Sequence, residues 1–517
     1  MAKALKSVDA PEIDTERFRL RRFIDRLIQA GEVNIHDEPV ELAGIAAILD
    51  GNPKAVLIRK AGPEQTEMVG NVVASRQRIA MALDVEPDEI RQEVTRRLAT
   101  PQPVMEIDRA DAPVQEIVLT GDDVDLTRFP IHLQHGMDGG PYISASLDYS
   151  IDEKTGWTNT GCRRLMLRNK RQTGIDLLSP SDLKAIYEAS AAQGKPLPVS
   201  FTVGAHPCDH MAGTMRVPMD ELELLARLRG APLPVVKSVT NDIRVPADAE
   251  IVIEGFLDAR GHVESEGPYG EFLGYYGVMK RNPLFTVTAI TMRGDALFQT
   301  STIGGKTMAH TDTANLGSVR TEVTVWRALE SAVREPVSIC ASPSNGGAFN
   351  VRISLRQRVP GEARNAIAAA MGSQANCKNV FVVDDDIDVF SDQQMDWALA
   401  TRFQADRDMV ISSGFRTLPL DPSLDGRRTG SKAGFDLTIP FGERPLDFTV
   451  PAAPEFGEKR FDTVRDSLAE GPKSFADLMS DLGSRDGREI ALALDEVREE
   501  GKLDRTETGK YFLSASQ

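Results

Sequence analysis

The segment His262-Val-Glu-Ser-Glu-Gly-Pro-Tyr-Gly-Glu-Phe-Leu-Gly-Tyr-Tyr276 restricts the fold more than any other stretch of the chain. Pro268 removes a backbone donor, and Gly267, Gly270 and Gly274 break both helical and strand periodicity, so the chain must turn here. It turns while carrying Glu264, Glu266 and Glu271 in close succession, with Tyr269, Phe272, Tyr275 and Tyr276 at hand to exclude water. Carboxylates crowded into a shielded turn repel one another. One of them then tends to keep its proton near neutral pH, which is the property of a general acid. A solvated acidic loop is the plainer alternative for the same pattern.

A chain of 517 residues exceeds one ordinary core, so several domains are expected. The net charge of −17 argues against nucleic acid or an anionic membrane as principal partner. Cys162, Cys208, Cys340 and Cys377 are dispersed and form no CxxC pair, which suggests neither a disulfide framework nor a thiolate zinc site and fits a reducing cytoplasm. The start, Met1 to Pro11, lacks the apolar stretch of a signal peptide, and no apolar run is long enough to span a bilayer.

Residues 1–115 read as an α/β unit, with a helix from Phe18 that stops at Gly31, a buried strand Ala55–Arg59, and helices Arg76–Leu83 and Pro87–Leu98. From there to residue 309, short β-like runs alternate with Gly, Pro and Asp: Ile143–Ile151, Arg164–Arg168, Val199–Val203, Ile251–Gly255 and Leu284–Ile290. Many such strands predict a barrel or sandwich. Residues 310–441 return to alternating helices and strands, a second α/β layer. Pro440–Pro454 reads as a Pro-rich linker. In residues 459–517, three helices precede a hairpin around Thr508-Gly509, the outline of a winged helix. Its third helix sets Arg488 and Arg498 against five acids, which favours packing over DNA binding.

Three further constellations carry polar chemistry. Gly304-Gly305-Lys306-Thr307 ends like a phosphate-binding P-loop, but Thr300 stands where that pattern needs glycine. Asn159-Thr-Gly-Cys-Arg-Arg164 precedes the apolar Leu165-Met-Leu167; Arg163 and Arg164 point to opposite faces if a strand begins there, and a turn with surface arginines is the plainer alternative. Asp220 and Glu221 follow a Gly-rich loop, where they either complement a helix dipole or coordinate a hard cation.

Taken in order, Asn159-x-Gly-x-x-Arg164, Pro234-Val-Val-Lys-x-x-Thr240-Asn-Asp242, Glu266-Gly-Pro-Tyr-Gly-Glu271-x-x-Gly-Tyr275 and Val382-Val-Asp-Asp-Asp-Ile-Asp388 resemble the UbiD-like family of reversible decarboxylases that use prenylated FMN. The resemblance covers about residues 15 to 440. It implies a mixed α/β (α+β) fold: an α/β cap over residues 1–115, a split β-barrel flavin-binding domain over 116–309, an α/β oligomerisation domain over 310–441 and the winged-helix-like tail over 459–517. It also implies roles for particular residues. Glu271 would protonate the carbon left when CO2 departs, Arg164 would hold the substrate carboxylate, and Glu266 would tune both. Asn159 and Glu221 would hold Mn2+ at the cofactor phosphate, and K+ would use carbonyls of Thr160, Ala212 and Met215 with Glu221. Thr160, Gly161, Cys162 and Arg163 would line the cofactor, with Lys432 as a phosphate contact. Where many members place a third, histidine ligand, this chain has Asp182, either a carboxylate replacement or a helix N-cap.

The implied reaction is non-oxidative (de)carboxylation of an aromatic, heteroaromatic or α,β-unsaturated acid by a cytoplasmic homo-oligomer, a dimer or hexamer, with a flavin prenyltransferase supplying the cofactor. A 4-hydroxybenzoate-type decarboxylase of ubiquinone synthesis is the alternative within enzymes; a non-catalytic flavin-binding or regulatory protein is the alternative outside them. Met308, His310 and Phe435 are candidates for the substrate pocket.

Overall fold

In the computed structural model, the β-rich middle of the chain closes into a six-stranded barrel. Ile251–Leu257, Leu197–Val203, Tyr142–Ile151, Thr158–Asn169, Gln172–Ile175 and Leu284–Met292 lie side by side in that order, and Leu284–Met292 pairs back onto Ile251–Leu257. A barrel this narrow has room only for side chains. Ile143, Leu165, Val199, Phe201, Ile253, Phe285 and Ile290 belong to the buried cluster that fills it. Ligand chemistry must therefore sit on the outer wall.

Each expected strand is present and longer than the apolar run that marked it. The largest difference concerns Asn159 to Arg164. They are not a turn before a strand but the first half of Thr158–Asn169. Leu165 points into the barrel, so Arg164 and Met166 alternate to the outside, where Met166 packs with Tyr142 and Tyr269.

The segment His262–Tyr276 is also more regular than expected. Glu264–Glu266 pairs antiparallel with Lys280–Asn282, and Tyr269–Gly270 with Tyr276–Gly277. The turn is thus a folded hairpin on the barrel wall. Of its aromatics only Tyr269 is deeply buried; Tyr275 and Tyr276 are 63% and 41% exposed.

Two helices buttress the wall beside Asn159. Pro207–Thr214 and Glu221–Arg229 are tied together by Arg229, which is buried and donates to Asp209 at 2.7 and 2.6 Å and to Asp248 at 2.6 and 3.0 Å. That clamp fixes the loop between the helices, residues 215–220, and hence Glu221.

Before the barrel, helix Leu20–Gln29 ends at Ala30, and Gly31 takes the left-handed turn just beyond it (φ 73°). After it, helices Asp312–Ala332, Glu362–Gly372 and Asp392–Arg402 accompany a five-stranded sheet ordered Pro336–Ala341, Asn350–Leu355, Asn379–Asp384, Thr429–Asp436 and Met409–Arg416. Three of those strands, Asn350–Leu355, Met409–Arg416 and Thr429–Asp436, have no counterpart in the sequence reading.

The structure describes residues 13–442 and 450–514, so the N-terminal Met1–Pro11 and positions 443–449 of the expected linker lie outside the described residues. The chain divides into units 1–438 and 439–517. The second contains helices Val464–Ala469, Phe475–Leu482 and Arg488–Glu499 and the hairpin Leu503–Arg505/Tyr511–Leu513, packed around Val464, Leu468, Leu478, Ile490 and Leu494. Its Arg488 and Arg498 are spent on Asp486 and Asp495. Among the described residues no helix is long and apolar enough to cross a membrane.

Candidate active site

Arg164 is the hub of the outer wall. Its Nε donates to Glu266 Oε1 (2.9 Å), Nη1 to Glu271 Oε1 (2.9 Å), and Nη2 to both Asp176 Oδ2 (3.0 Å) and Glu266 Oε2 (3.3 Å). The guanidinium lies 4.3 Å above the Tyr269 ring. Burial works against its charge, but Glu266 and Glu271 more than compensate and hold its pKa above the ordinary value. Tyr142, tilted against Tyr269 with ring centres 4.4 Å apart, donates its hydroxyl to Glu266 Oε1 at 3.0 Å. Burial followed by the Glu266 charge pushes the Tyr142 phenol upward, so it remains a donor.

A second cation completes the cluster. Lys280 Nζ donates to Asp176 Oδ2 at 2.8 Å and to Glu271 Oε1 at 3.3 Å. It reaches Glu271 because Lys280 lies directly across the strand pair from Glu266. Burial would raise the Asp176 carboxyl, but Arg164 and Lys280 outweigh it and hold it low. Sequence reasoning missed Asp176, Lys280 and Tyr142. Glu264 stays outside the cluster, its nearest cation being Arg260 at 4.0 Å.

Two consequences follow for chemistry. Glu271 Oε1 accepts from two cations, while among the described residues no donor reaches Oε2. Oε2 is therefore the oxygen left to exchange a proton with a ligand. An arginine carries five N–H donors; the hydrogen bonds above use four, leaving one on Nη1, the nitrogen that also holds Glu271. A ligand carboxylate taken by that donor would lie beside the acid. The cluster sets three carboxylates against two cations, so an entering carboxylate deepens the surplus of negative charge and favours the uptake of one proton. Gly277 makes the fit possible, since a Cβ there would stand 2.6 Å from Glu271 Oε1.

Along the same strand a cavity of about 350 Å3 opens beside Asn159, Thr160, Gly161, Cys162 and Arg163, faced by Asp182, Met215, Glu221, Phe272 and Arg320. Phe272 adjoins Glu271, so the cavity runs from the carboxylates of Asp182 and Glu221 toward the charge cluster. Glu221 Oε2 accepts the Thr160 N–H. Asn159 donates to Asp148 Oδ2 at 3.0 Å, which leaves its Oδ1 as the end free to coordinate. Burial pushes the Glu221 carboxyl up to about 8; the Thr160 N–H opposes this, and Asp148 and Asp182 reinforce it. Burial likewise raises Asp148 to about 6 against the pull of Arg163, whose Nε lies 3.0 Å away. The Cys162 thiol, pushed up to about 12 by burial, faces the His210 carbonyl.

At the opposite wall the Arg320 guanidinium makes no hydrogen bond or ion pair among the described residues, and burial, with Arg216 close by, holds its pKa below the ordinary value. One end of the cavity thus has carboxylates lacking a cation, and the other has a cation lacking an anion. Among the described residues no group of three or more His, Cys, Asp or Glu could hold a metal by itself. A cation here would depend on the Asn159 amide and on ligand oxygens as well.

The remaining candidates divide. Ser181, not Asp182, caps helix Asp182–Ala191 by accepting the Lys184 N–H at 3.3 Å; Asp182 sits in the first turn and lines the cavity. The Ala212 carbonyl accepts the Met215 N–H at 2.9 Å, and Met215 reaches the cavity whereas Ala212 packs in the core. Lys432 stands outside this cavity: its Nζ donates to the Met371 carbonyl at 2.6 Å, and it faces a neighbouring hollow with Cys377 and Lys378. Phe435 is stacked on Phe381 at 4.6 Å. His310 lines a separate cavity with His132 and His135.

A charge cluster with an open carboxylate oxygen and a spare guanidinium donor thus lies on the barrel wall beside a cavity with unpaired carboxylates at one end and an unpaired guanidinium at the other, an arrangement suited to acid–base chemistry. The chain matches the family profile of 3-octaprenyl-4-hydroxybenzoate carboxy-lyase across its N-terminal domain (residues 24–98), its Rift-related domain (105–307) and its C-terminal domain (314–437). It is 29% identical to anhydromevalonate phosphate decarboxylase of Methanosarcina mazei over 421 residues, 81% of this chain and 95% of the relative. It is 30% identical to phenolic acid decarboxylase of Sedimentibacter hydroxybenzoicus over 452 residues, 82% of this chain and 92% of the relative. Among solved structures, the UbiD-class enzyme HmfF from Pelotomaculum thermopropionicum in complex with FMN superposes with a TM-score of 0.79 at 31% identity, covering 84% of this chain and 97% of that one. An evolved dimeric form of the same enzyme in complex with prFMN gives 0.76 at 29%, covering 84% and 97%. The chain belongs to the UbiD family and is a decarboxylase, a carboxy-lyase.

Proposed function

We propose that this decarboxylase uses prenylated FMN to remove CO2 from an aromatic, heteroaromatic or α,β-unsaturated carboxylic acid, with Arg164 holding the carboxylate and Glu271 donating the proton. The observation that carries this reading is the double hold on Glu271 Oε1 with Oε2 left open, next to the spare donor on Arg164 Nη1. The cofactor is carried over from HmfF, bound to FMN and to prFMN in its own complexes. The cavity supports it: Arg320 is a cation in need of a phosphate, and Glu221, raised to about 8, is a carboxylate in need of a metal. Asn159, Glu221 and Asp182 would hold Mn2+ against the phosphate; the carbonyls of Thr160 and Met215, with Glu221, would serve K+. Ala212 is the weaker K+ contact because its carbonyl already accepts a hydrogen bond.

When bound, the modified flavin supplies the electron sink that an sp2 carbanion needs. The protein's own work is narrower. Arg164 orients the carboxylate, Glu266 and Tyr142 fix Arg164, Tyr269 covers its face, and Glu271 Oε2 gives up a proton to the carbon as CO2 leaves. The relatives include a phenolic acid decarboxylase and several anhydromevalonate phosphate decarboxylases, so a test panel should contain both kinds of acid. The decisive experiment is co-expression with a flavin prenyltransferase, mass and absorption analysis of the bound cofactor, and CO2 release from that panel. Retention of a prenylated flavin with turnover of a conjugated acid is expected. A protein that binds no flavin, or that turns over equally well with unmodified FMN, would refute the proposal.

A further inference from the structure

Each decarboxylation, R–CO2− + H+ → R–H + CO2, consumes one proton, so Glu271 must be recharged in every cycle. In the proposed function Oε2, which meets no protein donor among the described residues, is the oxygen that serves the substrate. Recharging during turnover then falls to the partners of Oε1, which are Arg164 Nη1 at 2.9 Å and Lys280 Nζ at 3.3 Å. A guanidinium does not release its proton in a protein, whereas an ammonium can. Arg164 also reaches Asp176 Oδ2, at 3.0 Å, so the releasable proton alone singles out Lys280. It follows Val278 and Met279, 75% and 61% exposed, and its Nζ is 2.8 Å from Asp176 Oδ2, on a side chain that keeps 17% of its surface in water at the end of barrel strand Gln172–Ile175.

Building on the role of Glu271 in the proposed function, we propose that Asp176–Lys280–Glu271 is a proton relay and that Lys280 is the group that reprotonates the acid. An Nζ–H bond breaks and the proton passes to Glu271 Oε1. The amine lone pair left on Nζ then takes a proton from water at the Asp176 edge, and Asp176 Oδ2 steadies the ammonium that re-forms. Rotation about the terminal carboxyl torsion, which is broad and two-fold, exchanges Oε1 for Oε2 and presents the proton to the next substrate. Lys280 and Asp176 end unchanged, and the net transfer is one proton from solvent to Glu271. Among the described residues, the other ionisable groups in this cluster include Arg164, which cannot deliver a proton, Glu266, which accepts from Arg164 Nε, and Tyr269, whose ring lies against that guanidinium and whose hydroxyl donates to Gln134. Lys280 acts on substrate only through Glu271.

The test is rapid mixing of cofactor-loaded enzyme with an acid that the wild type accepts, following CO2 through the first and later turnovers. Lys280→Met should release one CO2 per site at near the wild-type rate and then slow at least tenfold. Lys280→Arg keeps the charge and can keep both hydrogen bonds, yet cannot give up a proton, so it should show the same burst and slow phase. Methylamine should restore the slow phase of Lys280→Ala. First and later turnovers slowed alike, or Lys280→Arg running at the wild-type steady rate, would overturn the relay and leave Lys280 a structural partner of Asp176. If the wild type releases no CO2 from any acid, the function itself fails and takes the relay with it. If the wild type turns over and the variants show no such split, only the relay fails.

Discussion

Replacing Glu271 with glutamine separates the acid from its surroundings better than any other substitution. The amide oxygen can occupy the position of Oε1 and accept from both Arg164 Nη1 and Lys280 Nζ, the two hydrogen bonds that locate the side chain. The amide nitrogen then stands where Oε2 met no protein donor, so no donor–donor clash arises. The fold and the bound cofactor should survive. What disappears is the transferable proton. General acid catalysis is typically worth about 100- to 10,000-fold, which at about 1.36 kcal/mol per decade is roughly 2.7–5.4 kcal/mol of barrier. Substrate binding should move the other way. The substitution removes one of the three carboxylates facing two cations, and a negative charge removed about 5 Å from a bound carboxylate relieves up to about 3 kcal/mol at an effective dielectric near 20. The expected signature is therefore kcat down by two to four decades (roughly the range above) with KM steady or lower. Steady-state CO2 release, with the flavin spectrum and a thermal melt as controls, measures it. A variant with near-wild-type kcat would refute Glu271 as the donor. One that loses the flavin, or whose KM climbs while kcat holds, would show that Glu271 binds rather than protonates.

Three other outcomes are expected. Glu221→Ala should lower bound Mn2+ and flavin together, because the proposed metal would be held against the flavin phosphate; metal analysis with unchanged contents would make Glu221 only a first-turn acid of its helix. In metal-free protein, Glu221 folded near 8 against an ordinary 4.5 means that the native state holds a proton the unfolded chain has released, so stability should fall as pH rises from about 4.5 to about 8, by at most about 1.4 kcal/mol per unit, and Glu221→Gln should flatten that slope in melts across the range. Removal of residues 459–517 should leave CO2 release intact, since the proposed catalytic and cofactor residues precede Thr438 and the family profile ends at residue 437; lost turnover in the truncated protein, sized in parallel by light scattering, would contradict this.

The parts of this protein visible in its sequence were those whose meaning is local. Gly267, Pro268 and Gly270 announce a turn whatever surrounds them, and Glu271 takes its place from that turn. The alternation of Arg163 and Arg164 about Leu165 is a property of any strand, and the two arginines do find separate partners, Asp148 and the Glu266–Glu271 pair. The apolar barrel strands were readable because their inner residues are β-branched or aromatic. Of the strands missed in the C-terminal sheet, one lacks that mark: Thr429-Gly-Ser-Lys-Ala-Gly-Phe-Asp436 has two glycines and one large apolar residue, and it becomes a strand because Asn379–Asp384 and Met409–Arg416 pair with it on either side. Asn350-Val-Arg-Ile-Ser-Leu355 does carry the alternation, with Val351, Ile353 and Leu355 buried in the core.

Lys280 shows what no local pattern could supply. It is separated in sequence from Glu271 by two exposed apolar residues and several aromatic and glycine positions, and nothing about Met279-Lys-Arg-Asn282 marks one basic residue above the other. The distinction comes from register. Glu266 faces Lys280 and Ser265 faces Arg281, so a slip of one residue would send Arg281 into the cluster and Lys280 into solvent. Asp176 joins because the hairpin after Asn169 folds Gln172–Ile175 back alongside Thr158–Asn169, with Ile175 opposite Leu165, and leaves Asp176 within reach of Arg164. The motif acids are held by groups outside the motif. A sequence carrying Glu266, Glu271 and Arg164 but shifted by one residue in the return strand would keep the recognisable pattern and lose the second cation on Glu271. Whether such a chain could still recharge its acid depends on Lys280, which the motif does not mention.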